Sequence, residues 1–201
     1  MKDPAFPKLV VFINSCVPLA LLGWDAYWHQ LGANPSNFAL RTTGMMALIF
    51  LILSLTVTPV RKITGYNFLS HFRRMLGLFA FFYGCMHLAL YFTYDREFNL
   101  AGTLADVLKR PFILLGMASL LMMLPLAATS TNAMIKKLGG KNWKRLHTLA
   151  YPAAIAAVVH FYLLVKADIR QPAAFGFVLA VLLLYRLLAN RFAWLRKSAR
   201  A

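Results

Sequence analysis

Six apolar runs, each long enough or nearly long enough to cross a hydrocarbon core, constrain this chain more than any other feature. Crossing takes about 20 helical residues. The runs cover approximately 9–28, 44–60, 75–94, 112–130, 148–166 and 173–190. A water-soluble domain of 201 residues has too much surface for its volume to hide them. With 60% of residues hydrophobic and only 14% charged, the solvent for most of this chain must be lipid. In lipid the backbone has to satisfy its own hydrogen bonds, which runs of this length do as helices. The expected fold is an all-α membrane protein, a six-helix transmembrane bundle forming one domain over residues 1–201. Pro59, followed by Arg61 and Lys62, is expected to end the second helix, and Pro18, Pro125 and Pro152 to kink the helices that contain them.

Lys and Arg set the expected orientation. Fifteen fall on one side of the alternating spans, in groups such as Arg61 and Lys62, Arg73 and Arg74, and Lys136 to Arg145. The other side carries 6 (Arg41, Arg96, Lys109, Arg110, Lys166 and Arg170), diluted by Asp95, Glu97, Asp106 and Asp168. Basic residues stay on the cytoplasmic side, so both termini are expected there, N-in and C-in. Although the net charge is +16, the basic groups lie in short runs between spans. Their counter-charge is expected to be the anionic lipid surface rather than nucleic acid. Cys16 and Cys85 sit within apolar runs and suit packing rather than a disulfide scaffold. The N-terminal run lacks a small-residue cleavage site and is expected to be an uncleaved anchor. No Gly-rich phosphate loop is present, so no nucleotide-binding domain is expected.

Ionisable groups at membrane depth need a reason to be there. His87 lies thirteen residues past Arg74 in the third run, and His160 thirteen past His147 in the fifth. At about 1.5 Å per residue, both then lie roughly 20 Å from the cytoplasmic boundary. Two imidazoles at one depth on two inward-facing helices are what a haem iron with two axial nitrogens requires. The plainer alternative is interhelical hydrogen bonding. No Asp, Glu or Cys shares that depth to complete a tetrahedral zinc site. Gly84, Ala153, Ala154, Ala156 and Ala157 would leave room for a macrocycle or allow close helix packing. His147, at the cytoplasmic end of the fifth run, could ligate a second haem, border another cofactor, or simply sit among Lys144 and Arg145. Its azimuth differs from that of His160 by about 140° unless Pro152 rotates the helix. His71 and His29 suit loop positions. Arg73, Arg74, Arg145 and Arg186 are candidate partners for haem propionates, or snorkel to the headgroups. Trp24, Tyr91 and Trp143 fit interface belts.

Several stretches carry a family resemblance. Arg73-Arg74-Met75-Leu76-Gly77-Leu78 leading to His87, Lys109-Arg110-Pro111-Phe112, and Leu126 to Thr131 resemble the haem-binding membrane subunits of bacterial methionine sulfoxide reductase systems, the MsrQ family. So do Thr43-Gly44, Thr58-Pro59, Lys136-Lys137-Leu138-Gly139, Trp143 to His147, and His160-Phe161. The resemblance spans roughly residues 40 to 165. It implies a ferric-reductase-like transmembrane fold in the bacterial inner membrane. It also implies haem b, one or two, held by His87, His160 and His147. FMN is a further cofactor the family suggests. Electrons would come from the quinone pool or a cytoplasmic flavin reductase and pass to a periplasmic molybdopterin-containing methionine sulfoxide reductase. The resemblance departs from the wider family where Arg74 replaces a histidine, which leaves a second bis-histidine haem without its partner ligand. Two other functions remain open from sequence: a stand-alone ferric reductase or quinol-oxidising cytochrome, and a small transporter or structural helix bundle. Transporters often carry related halves, and no internal repeat is found here.

Overall fold

The computed structural model describes residues 5–165 and 167–198; Lys2, Lys166 and Arg200 of the charge count lie outside them. The elements are α1 (Ala5–Tyr27), α2 (Pro35–Thr64), α3 (Ser70–Leu90), α4 (Leu100–Lys109), α5 (Pro111–Ala128), α6 (Asn132–Leu138), α7 (Gly140–Leu146), α8 (Ala150–Leu164) and α9 (Arg170–Ser198). No strand occurs among the described residues. Six helical segments are long and apolar enough to cross a membrane: Ala5–Tyr27, Pro35–Thr64, Asn67–Asp95, Pro111–Ala128, Gly140–Leu164 and Arg170–Ala189. The chain is an all-α, multi-pass membrane protein.

The second span is longer at both ends than its apolar run. Asn34 caps α2, its side chain accepting from the Asn37 N–H at 3.1 Å, with Pro35 opening the helix. At the other end Gly65 takes the left-handed conformation (φ 77°) in which glycine closes helices. Pro59 therefore does not end α2. A proline denies its ring nitrogen to the carbonyl four residues back, here that of Leu55. Arg186 of α9 supplies the missing donor, its Nη2 bonding the Leu55 carbonyl at 2.7 Å. Pro152 falls in the first turn of α8, where the helix needs no such N–H. The irregularity in that span is instead the tight 3-10 turn His147–Leu149 between α7 and α8.

α2 is the central helix of the core. Its Leu48, Phe50, Leu51, Ile52 and Leu55 pack with Phe79, Ala80 and Tyr83 of α3, Met123 of α5, Ala153, Ala154 and Val158 of α8, and Leu179 and Leu182 of α9. Phe50 stacks on Tyr83 at a ring separation of 5.4 Å. Further polar ties cross the bundle: the Tyr83 hydroxyl donates to the Ser15 carbonyl at 2.8 Å, and Ser119 Oγ to the Ala153 carbonyl at 2.8 Å. Ala153 and Ala154 are fully buried in this packing. A Cβ on Gly84 would meet Leu120 at 3.0 Å. Those small residues thus serve close helix contact.

The connection between α3 and α5, expected to be loop, contains α4. Its cap is Asn99, whose side chain accepts from Gly102 N–H at 2.8 Å. Buried Asp106 holds this segment to the end of α3. It accepts from the Tyr91 hydroxyl at 2.7 Å, ion-pairs with Arg96, and lies 3.4 Å from Arg110 Nε. Tyr91 is therefore a polar anchor of this segment.

Candidate haem and cofactor sites

His87 stands three residues before the end of α3, and His160 four before the end of α8. The bundle brings the two half-buried rings together, with centroids 6.2 Å apart and planes inclined at 80°. Each ring is fixed by one hydrogen bond to another helix. His87 Nδ1 donates to the Leu40 carbonyl of α2 at 2.9 Å. His160 Nδ1 donates to the Phe112 carbonyl of α5 at 2.5 Å. A carbonyl can only accept, so both Nδ1 atoms carry the proton and both Nε2 atoms keep their lone pair. Neither Nε2 has a hydrogen-bond partner among the described residues.

A neutral imidazole whose Nδ1–H is held by a carbonyl is the usual form of a metal-binding histidine. The spacing fits as well. With metal–nitrogen bonds of about 2.0–2.1 Å and a ring radius of about 1.1 Å, two imidazoles on opposite sides of one metal have centroids roughly 6.3 Å apart. Among the described residues no group of three His, Cys, Asp or Glu converges. A bare tetrahedral ion would therefore lack ligands here. A macrocycle that brings four equatorial nitrogens of its own needs only two axial ones, and the donor set fits that group.

The opposite end of the bundle holds a cavity of about 460 Å³. Its walls are apolar, from residues such as Leu55, Met123 and Leu126, and its rim is cationic, with Lys8, Arg61, Arg73 and Arg74. His147 lines it, Nδ1 donating to the Trp143 carbonyl at 3.1 Å. Its Nε2 is buried without a partner among the described residues. Trp143 stacks on the His147 ring at 3.8 Å, and its indole N–H bonds the Thr129 carbonyl at 2.9 Å. Trp143 thus supports the His147 ring. Arg74 Nη1 donates to Asn132 Oδ1 at 2.6 Å. His71 lies in the first turn of α3 at the cavity edge, not in a loop. Arg145 is exposed and does not line the cavity. Arg186 is committed to Leu55 and Tyr151. The carbonyls of Leu40 and Phe112 carry no sequence signal, because any residue supplies a carbonyl.

The six-span helical bundle is that of a transmembrane component, and the sequence places it in a class. Residues 42–158 match the family described as "Ferric reductase like transmembrane component". Close relatives narrow the class. The protein-methionine-sulfoxide reductase heme-binding subunit MsrQ of Rhodospirillum rubrum is 46% identical over 180 residues, 90% of this chain and 86% of that protein. MsrQ of Herminiimonas arsenicoxydans is 43% identical, covering 95% and 87%. MsrQ of Xanthomonas euvesicatoria is 44% identical, covering 96% and 88%. The chain belongs to the MsrQ family.

Proposed function

We propose that this chain is the haem b-binding electron-transfer subunit of a methionine sulfoxide reductase system, and that residues 1–201 act as one transmembrane unit. One observation carries the reading: the rings of His87 and His160 lie with centroids 6.2 Å apart, both Nδ1 protons held by backbone carbonyls. The bound haem would supply one-electron storage. The protein's part is to present two fixed Nε2 lone pairs from separate helices and to keep them within an apolar bundle. His87 and His160, held in place by their carbonyl partners, would both be committed to a bound haem, which suits a carrier better than an oxygen- or substrate-binding haem.

The cavity at the other end is proposed to hold a second redox group, either another haem or FMN. His147 Nε2 would face it, and Arg61, Arg73 and Arg74 would neutralise its carboxylates or phosphate. His147, at the cavity end, and His160 stand thirteen residues apart, a rise of about 20 Å. A carrier in the cavity would take up electrons at that end and shorten their path from the cavity mouth to the His87–His160 pair. The charge split favours N-in and C-in topology in the bacterial inner membrane, with the cavity facing the cytoplasm. The donor would be the quinone pool or a cytoplasmic flavin reductase. The acceptor would be a periplasmic molybdopterin-containing reductase, docked at the end where His87 and His160 lie.

Haem content per protein, read from the Soret band and a pyridine haemochrome assay, tests the ligand pair. His87→Ala and His160→Ala should each remove most of the haem. His147→Ala should spare it or affect a second species only. Full haem retention in both of the first two variants would overturn the pairing.

A further inference from the structure

The two proposed ligands are seated by the same device, repeated on different helices. His87 bonds the carbonyl of Leu40, and the residue four further along α2 is Gly44. His160 bonds the carbonyl of Phe112, and the residue four further along α5 is Gly116. In a helix the carbonyl of residue i already accepts from the N–H of residue i+4. The side chain of i+4 rises beside that carbonyl and shields it, since helical side chains lean toward the N-terminus. A glycine at i+4 removes the shield and opens the carbonyl to a further donor, even at Leu40, where the Thr43 hydroxyl also lies at 3.0 Å while bonding the Ala39 carbonyl at 2.9 Å.

The imidazole rings occupy the vacated volume. A Cβ on Gly44 would lie 2.9 Å from both Cε1 and Nδ1 of His87. A Cβ on Gly116 would lie 2.9 Å from Nδ1, 3.0 Å from Cε1 and 3.3 Å from Cγ of His160. Neither ring has a flexible end that could swing away, because its Nδ1 is tied to the carbonyl beneath. Neither glycine has a positive φ, so backbone conformation does not require it. Glycine in mid-helix is otherwise unfavourable by about 1 kcal/mol relative to alanine. The ring contact is what accounts for both.

We propose that Gly44 and Gly116 are ligand-positioning residues: each opens a notch that lets one histidine ring lie against α2 or α5 and reach the carbonyl one turn upstream, which fixes the two imidazole planes nearly perpendicular. The notches set the rotation of each ring about its own axis, which ligation alone leaves free. Plane orientation matters for the iron that would sit between the rings. Perpendicular axial imidazoles keep two of the iron d orbitals close in energy, and parallel ones split them. The ferric low-spin resonance is strongly anisotropic in the first case and rhombic in the second.

The inference rests on the haem reading and is tested on the full chain, expressed with haem available and purified in detergent. Gly44→Ala and Gly116→Ala are compared with Gly23→Ala, where a Cβ would meet nothing within 4 Å. The readouts are transfer of haem to an excess of apomyoglobin and the electron paramagnetic resonance spectrum of the ferric protein. Wild type and Gly23→Ala should share one strongly anisotropic low-spin signal. Each notch variant should release haem about tenfold faster or more, on the scale of lost metal-supporting contacts, and shift that signal toward a rhombic one. Unchanged retention and an unchanged spectrum in both notch variants would overturn the notches while leaving the haem reading intact. A wild type that binds no haem would overturn both. Should Gly44→Ala fail to give monodisperse protein, Gly44→Ala combined with His87→Ala decides the matter. Removing the ring removes the collision, so recovery of a monodisperse peak supports the notch, and a persistent defect overturns it.

Discussion

Arg186 offers the sharpest test of how this bundle tolerates a proline in its central helix. Pro59 leaves the Leu55 carbonyl without its helical donor, and Arg186 Nη2 fills the vacancy at 2.7 Å while Nη1 bonds the Tyr151 hydroxyl. Its guanidinium also lies over the Tyr151 ring, 4.9 Å from the centroid. Arg186→Met keeps much of the side chain's bulk and removes both bonds. An orphaned buried carbonyl costs about 1–3 kcal/mol. Hydrogen bonds between membrane helices average about 0.6 and reach about 1.7 kcal/mol. Relief of burying the charge offsets part of the loss. The net expectation is a destabilisation of about 1–2 kcal/mol. The decisive comparison is the same substitution in a Pro59→Ala background, where residue 59 regains an N–H that can reach the Leu55 carbonyl. There Arg186→Met forfeits only its contacts with Tyr151 and should cost less than about 1 kcal/mol. The two substitutions should therefore be coupled by about 0.5–1.5 kcal/mol. Thermal unfolding of the four proteins in one detergent, followed by size-exclusion chromatography, measures the cycle. Strict additivity would refute the idea that Arg186 stands in for the missing proline donor.

Three further outcomes are expected. Asp106→Asn removes the charge that gathers Tyr91, Arg96 and Arg110, and should lower stability by about 1–3 kcal/mol and speed proteolysis within residues 95–110; unchanged melting and cleavage would refute the anchor. A reporter active only in the periplasm should be silent when fused at the C-terminus, as the charge asymmetry requires; activity would reverse the orientation or change the span count. Under the proposed function, reduced protein alone in liposomes should not reduce methionine sulfoxide, and addition of the proposed periplasmic molybdenum-containing reductase should re-oxidise the haem it would hold; sulfoxide reduction without that reductase would refute the carrier reading.

The fold was legible in the sequence because lipid simplifies the problem. Apolar length alone defines a span, and all six spans are found where the apolar runs lie. Boundaries were less legible, since they depend on caps and compensations outside the apolar run. Asn34 and Gly65 extend α2 at its two ends. The rescue of Pro59 comes from Arg186, a residue distant in sequence. α4 escaped notice because its leucines, Leu100, Leu104 and Leu108, form a stripe too short to register as a span, and its cap is a single asparagine.

The two ends of the bundle differ in what sequence could convey about them. His87 and His160 announce themselves because an ionisable side chain in lipid is costly unless it has a partner or a ligand. Depth counting then pairs them, since helical rise is regular. Their supports, the Leu40 and Phe112 carbonyls, are invisible by type. Glycines can mark such supports only indirectly, and Gly44 and Gly116 resemble ordinary packing glycines until the rings are seen against them. At the cavity end the signal is weaker because every residue there has a ready alternative: an arginine near a headgroup snorkels, and a tryptophan near an interface anchors. Tertiary placement separates Arg73 and Arg74, which line the cavity, from Arg145, which faces away. It also gives Trp143 a role as the face against which His147 is held. Side chains whose chemistry is unusual for their depth can be read from sequence, and those that are ordinary for their depth acquire a role only through their neighbours.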